Sequence, residues 1–167
     1  MNVNSTIRAI ITDLDGVIRH FPVERDHEIE IRYGLPQGIL ANMAFEPLLL
    51  QRVIKGEITD SAWRSQVLAK LETRFPRDKS AAAVRAWSSF SGYVDQDCLN
   101  FIKEMRTYGP VVLLTNATDR LSVDLEALQI KKAFDFIFNS SEIGLIKPDA
   151  VLFKRVVLRD NEWVTFL

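Results

Sequence analysis

Two carboxylates one residue apart, Asp13 and Asp15, directly follow a short β-branched run at positions 7–12 (IRAIIT) and precede Gly16. A hydroxyl, Thr115, closes a second apolar run at positions 111–115 (VVLLT), with Asn116 after it. An ammonium, Lys147, stands in a Lys-Pro-Asp sequence beyond a third run at positions 134–138 (FDFIF). These residue types suit the handling of a phosphoryl group. One carboxylate can attack phosphorus and hold it as an aspartyl phosphate, which splits a hard hydrolysis into two easier steps. A second can protonate the leaving oxygen and later deprotonate the attacking water. A hydroxyl and an ammonium can hold the equatorial oxygens, where charge collects. Gly16 lets the backbone turn sharply away from the strand.

The elements that must position these groups can be read from the same runs. Short continuous apolar runs signal strands buried on both faces, the habit of parallel sheets. A fourth such run lies at positions 163–167 (WVTFL), and helical patterns occupy positions 96–108, 119–128 and 150–159. Gly109-Pro110 breaks the first of these helices before the second strand. The alternation predicts an α/β fold with a doubly wound parallel sheet. In such sheets ligands bind beyond the carboxyl ends of the strands, so Asp13, Asp15, Thr115 and Lys147 should share one rim.

Positions 18–94 do not fit the alternation. Strand-to-helix loops run about 2–6 residues, so this stretch must be an insertion. Its content is helical at positions 48–54, 61–71 and 80–90, with turns at Gly34-Leu-Pro, Lys55-Gly-Glu and Phe75-Pro-Arg. The expected division is a core of residues 1–18 and 91–167 around an insert of residues 19–90.

Composition narrows the function. With 47% hydrophobic and 26% charged residues, the chain is globular in type. A formal net charge of −1 argues against a nucleic-acid partner. Cys98 is the single cysteine, so no intrachain disulfide forms, which fits a cytoplasmic setting. No run of about 18 apolar residues exists to span a membrane, and the amino terminus lacks the layout of a secretion signal.

The order DLDGV, LLTNAT, IKPD resembles the haloacid dehalogenase-like hydrolases, whose core is Rossmann-like. The resemblance covers the whole chain, because that family also inserts a small helical cap after its first motif. It implies a magnesium-dependent phosphatase of small phosphorylated metabolites. Asp13 would be the nucleophile, Asp15 the general acid and base, and Thr115 and Lys147 the groups that hold the phosphoryl oxygens. Asn116 would touch substrate. Mg2+ would be held by the Asp13 carboxylate and the Asp15 backbone carbonyl. GEITDSAW and IGLIKPDAVLF are similar to segments of sugar-phosphate phosphatases and of the phosphatase domain of soluble epoxide hydrolases. Asp15 separates phosphatase from 2-haloacid dehalogenase: expelling halide needs no proton, and dehalogenases usually lack this second aspartate.

The family's fourth motif, acidic residues after the fourth strand, has no counterpart following positions 163–167, and Asp160 and Glu162 precede that run. The sequence therefore predicts a weak metal site and an apolar edge prone to self-association. Two other readings remain beside the phosphatase. One is a binding or scaffolding protein that keeps the fold without the activity. The other is a phospho-accepting receiver, disfavoured because its acceptor aspartate would follow the third strand, where this chain has Asn139-Ser-Ser. Thr118 and Asp149 are expected as helix caps, and Trp63, Trp87 and Trp163 as core residues. His20 and Phe21 lie just past the first motif, and Cys98 falls on a helix away from the rim.

Overall fold

The computed structural model describes residues 8–158. The fourth apolar run, Asp160, Glu162 and the edge expected to self-associate lie outside the described residues. The first run forms β1 (Ile10–Thr12), and a short ribbon, β2 (Arg19–His20), follows the DLDGV turn. Five helices come next: α1 (Val23–Tyr33), α2 (Ile39–Ala44), α3 (Pro47–Ile54), α4 (Asp60–Glu72) and α5 (Arg77–Ser88). The chain returns through β3 (Tyr93–Val94), then alternates α6 (Gln96–Met105), β4 (Val111–Thr115), α7 (Leu121–Ala127), β5 (Phe136–Asn139), α8 (Ser140–Ile143) and α9 (Ala150–Leu158).

The three core strands pair in parallel in the order β1-β4-β5, with Thr12 beside Leu113 and Thr115 beside Asn139. β4 is buried along its whole length, and its residues alternate between two apolar layers. Val111 and Leu113 pack with Leu99 and Ile102 of α6 and with Leu121 and Leu125 of α7. Val112 and Leu114 pack on the opposite side against Leu152 and Val156 of α9. Helices thus cover both sheet faces, and the continuous apolar run follows from that double burial. This is the doubly wound parallel sheet the sequence predicts. β5 begins at Phe136 rather than at position 134, because Phe134 turns into the layer beneath α6 and α7.

The inserted helices have an interior of their own, drawn entirely from residues between Ile29 and Trp87. α1 and α2 are absent from the sequence reading. The α1 face toward this interior carries Glu30, which is fully buried and accepts hydrogen bonds from Gly38 N (2.7 Å) and Leu40 N (2.9 Å). A carboxylate in the apolar stripe hides the helical period, yet here it satisfies the first backbone donors of α2. Trp63 is a core residue as expected, with its Nε1 donating to Ala44 O. Chain entry and exit meet where β2 and β3 pair antiparallel and His20 stacks on Tyr93. None of the described helices is long and apolar enough to cross a membrane.

The insert is fastened to the core at several points. Ser140 Oγ donates to Ile54 O (2.6 Å), and Asp60 N donates to Asp119 Oδ1 (2.7 Å). Thr118 Oγ1 donates to Asp60 Oδ1 and also accepts from Arg120 N, so the expected cap residue reaches across to the insert as well. Gly56 lies against the α8 backbone so closely that a Cβ would fall 2.0 Å from Ser141 O, and its φ of +74° favours glycine. Gly56→Ala should therefore cost about 2–3 kcal/mol, read as a lower urea midpoint at constant slope. An unchanged midpoint would show that this contact does not hold the insert in place.

Candidate active site at the strand ends

Asp13 follows the last residue of β1, and the turn after it directs its carboxylate along the rim. Oδ1 accepts from Leu14 N at 2.8 Å, which fixes the side chain against its own backbone. Oδ2 faces Lys147 Nζ at 2.6 Å, and both side chains stay partly exposed, at 39% and 21%. Thr115 ends β4 and is 1% exposed. The structure thus brings Asp13 and Lys147 into direct contact, from positions 134 residues apart in the chain.

The Lys147 loop is held by Asn116. Its Nδ2 donates to Lys147 O at 3.1 Å, and its Oδ1 accepts from Lys147 N at 2.8 Å. Both ends of the amide are committed to the lysine backbone. Asn116, expected to touch substrate, holds the main chain of the lysine and also borders the cavity under the insert. Asp149 caps the following helix, accepting from Val151 N.

Asp15 is paired with Arg19. Its two carboxylate oxygens accept from Arg19 Nε (2.6 Å) and Nη2 (3.0 Å). Arg19 is 5% exposed and also donates from Nη1 to Asp124 Oδ2 at 3.2 Å. Asp124 in turn accepts from Arg120 Nε (2.9 Å) and Ser91 Oγ (2.8 Å), and Arg120 Nη1 donates to Ser88 O at 2.7 Å. Burial works against the charge of Arg19, but hydrogen bonding and charge from Asp15 and Asp124 more than offset it and hold its pKa above the ordinary arginine value. This Asp-Arg-Asp-Arg chain runs from the rim through β2 and α7 to the end of α5. The sequence reading missed it. Its one local sign is an arginine directly after the buried Ile18, in a position that lies inside the protein.

The donors available for a metal are oxygens. Among the described residues, no group of three or more His, Cys, Asp and Glu is placed to hold an ion. Magnesium prefers hard oxygen ligands, keeps several waters and often takes substrate phosphate as a ligand. The Asp13 carboxylate and the Asp15 carbonyl suit it in type but supply one anionic ligand between them.

No model of a known protein family matches the chain, and no curated protein matches it. Solved structures do. A haloacid dehalogenase family enzyme from Bacteroides thetaiotaomicron, in complex with magnesium and inorganic phosphate, is similar with a TM-score of 0.69 and 23% identity, over 91% of this chain and 78% of that one. A predicted hydrolase of the same family from Porphyromonas gingivalis gives 0.66 and 19%, over 94% and 78%. L-2-haloacid dehalogenase from Xanthobacter autotrophicus gives 0.58 and 19%, over 91% and 65%.

The buried node at Arg19 generates a stability prediction. Arg19→Ala removes the shared partner of two carboxylates and should lower unfolding stability by about 3 kcal/mol, measured in urea at neutral pH. A loss below about 0.5 kcal/mol would mean that the pairing behaves as a solvated surface bridge. The parallel sheet, the helices on both of its faces and the helical insert after β1 give this chain the fold of the haloacid dehalogenase-like hydrolases.

Proposed function

We propose that the protein is a phosphatase of small phosphate monoesters that acts through an aspartyl phosphate on Asp13, with residues 19–90 serving as a cap over the rim. The observation that carries this reading is the Asp13–Lys147 contact at the strand ends, with Asp15 two residues on and Thr115 closing the neighbouring strand. The complex of the Bacteroides enzyme with magnesium and phosphate supports it.

In the first step a carboxylate oxygen of Asp13 bonds to phosphorus, and the bond from phosphorus to the ester oxygen breaks. The departing oxygen takes a proton from the Asp15 carboxyl. In the second step Asp15 takes a proton from water as that water attacks phosphorus, which releases inorganic phosphate and restores Asp13. Lys147 holds Asp13 in line and balances the phosphoryl charge, and the Thr115 hydroxyl donates to a phosphoryl oxygen. Magnesium, bound by the Asp13 carboxylate and the Asp15 carbonyl, would add positive charge beside the transferred group. Arg19 engages both oxygens of Asp15, so a proton on Asp15 must take one of the remaining lone pairs and weakens the pairing. Arg19 is therefore a competitor for the acid as well as its support.

Asp13→Asn should abolish hydrolysis, because an amide is a poor nucleophile. Asp15→Asn should lower kcat/KM for an alkyl phosphate by about 100-fold or more and p-nitrophenyl phosphate far less, since nitrophenolate leaves without a proton. Equal losses on both esters would remove Asp15 from the acid role. Full activity in Asp13→Asn would overturn the proposed reaction.

A further inference from the structure

Between the insert and the rim lies a cavity of about 350 Å3, bordered on the core side by Asp15, Asn116 and Thr118. Five aromatic side chains face it: Phe21, Phe45, Trp63, Trp87 and Phe90. Ligand pockets usually hold about 300–1,000 Å3, so this one admits a group of one or two rings. Three arginines also line it, but each is already engaged. Arg19 is held by Asp15 and Asp124, as described above. Arg25 donates to Ala86 O (2.6 Å) and Trp87 O (3.4 Å). Arg64 donates to Ser88 O and pairs with Asp60. Each guanidinium also lies over an aromatic ring, those of Phe21, Phe90 and Trp87 respectively, at 5.0, 4.6 and 5.7 Å.

The lining thus carries three guanidiniums against four carboxylates, Asp15, Asp26, Asp60 and Asp124. Burial lifts the Asp26 carboxyl above the ordinary carboxylate range, against the pull of Arg25. A second anionic group on a substrate would meet this acidic excess, with Arg19 and Arg64 already paired to carboxylates and Arg25 donating to backbone carbonyls. A polyol would fare little better, because Asp15, Asp60 and Asp124 are already held by guanidiniums and a buried hydroxyl without a partner costs free energy. Ser88 Oγ is a buried lining group with no partner among the described residues, which leaves one uncommitted hydroxyl among the rings.

We infer that the group esterified to phosphate is uncharged, apolar and ring-bearing. The substrate class is an aryl or aralkyl phosphate monoester, in preference to a sugar phosphate or a phosphate that also carries a carboxylate. This rests on the phosphatase reading above and names the substrate class of that site, to which the cavity is joined through Asp15 and Asn116.

Calorimetric titration of the full chain carrying Asp13→Asn separates the two, because binding is read without turnover. The probes are 1-naphthyl phosphate, glycerol 1-phosphate and phosphoglycolate, with inorganic phosphate as reference. The expected result is 1-naphthyl phosphate binding about tenfold or more tighter than the other two esters. Phe45 is 52% exposed, so its replacement should leave the fold intact. Adding Phe45→Ala should weaken 1-naphthyl phosphate about tenfold and leave inorganic phosphate unchanged. Adding Phe45→Lys should narrow the gap to phosphoglycolate by supplying a free cation. Equal or reversed affinities, or no binding of 1-naphthyl phosphate, would overturn the inference. Selective binding without hydrolysis by the unmodified chain would count against the phosphatase reading and leave the ring-selective pocket standing.

Discussion

The structure turns on one buried cation. Arg19 is nearly inaccessible to water, and a buried guanidinium is tolerated only when its donors are matched by acceptors. Asp15 supplies two of those acceptors and Asp124 a third. Meeting that need fixes three things together: the turn after β1, the path of β2 out of the core, and the position of α7. The return strand is bound by the same constraint. At Gly92 any Cβ would come within 2.7 Å of the Arg19 side chain, so the exit of the insert passes over the arginine only as glycine. A carboxylate of the proposed chemistry and the hinge of the inserted helices therefore share one electrostatic centre.

The rim shows a second economy. Asp13 and Lys147 neutralise each other in contact with water, where such a pair gains little stability. Its value is positional: the lysine arrives on a loop whose main chain is held by the Asn116 amide, directly after the end of β4. The contact thus sets the spacing of carboxylate and ammonium before any ligand enters, the kind of placement on which pre-organisation rests.

How far the sequence foretold this arrangement follows from the distance over which each signal acts. β1, β4 and β5 were legible because burial on both faces leaves an unbroken apolar run, and the strand-end rule then placed Asp13, Thr115 and Lys147 near one another. The turns at Gly34, Lys55 and Phe75 were legible because glycine and proline punctuate locally. α1 was not, because Glu30 interrupts its apolar face for the sake of backbone donors eight and ten residues away. Arg19 and Asp124 were not, because their contact spans 105 residues and neither belongs to a local pattern. Asn116 shows the same limit. Its type and place suggest a ligand contact, and nothing local announces its hold on a peptide group 31 residues on.

The fastenings between insert and core have a thermodynamic consequence. Ser140 to Ile54, Asp60 to Asp119, Thr118 to Asp60 and Arg120 to Ser88 are four hydrogen bonds that cross between them. Separating the insert would exchange each for bonds to water at a net cost near 1 kcal/mol, so about 4 kcal/mol together. These four alone would hold the open form to at most about one molecule in a thousand, and the buried Arg19–Asp124 pair lowers it further. A ligand that enters only the open form would then see its affinity reduced by the same factor, while a ligand already enclosed would be retained in proportion. Retention of enclosed ligand, more than speed of entry, is what this set of bonds favours.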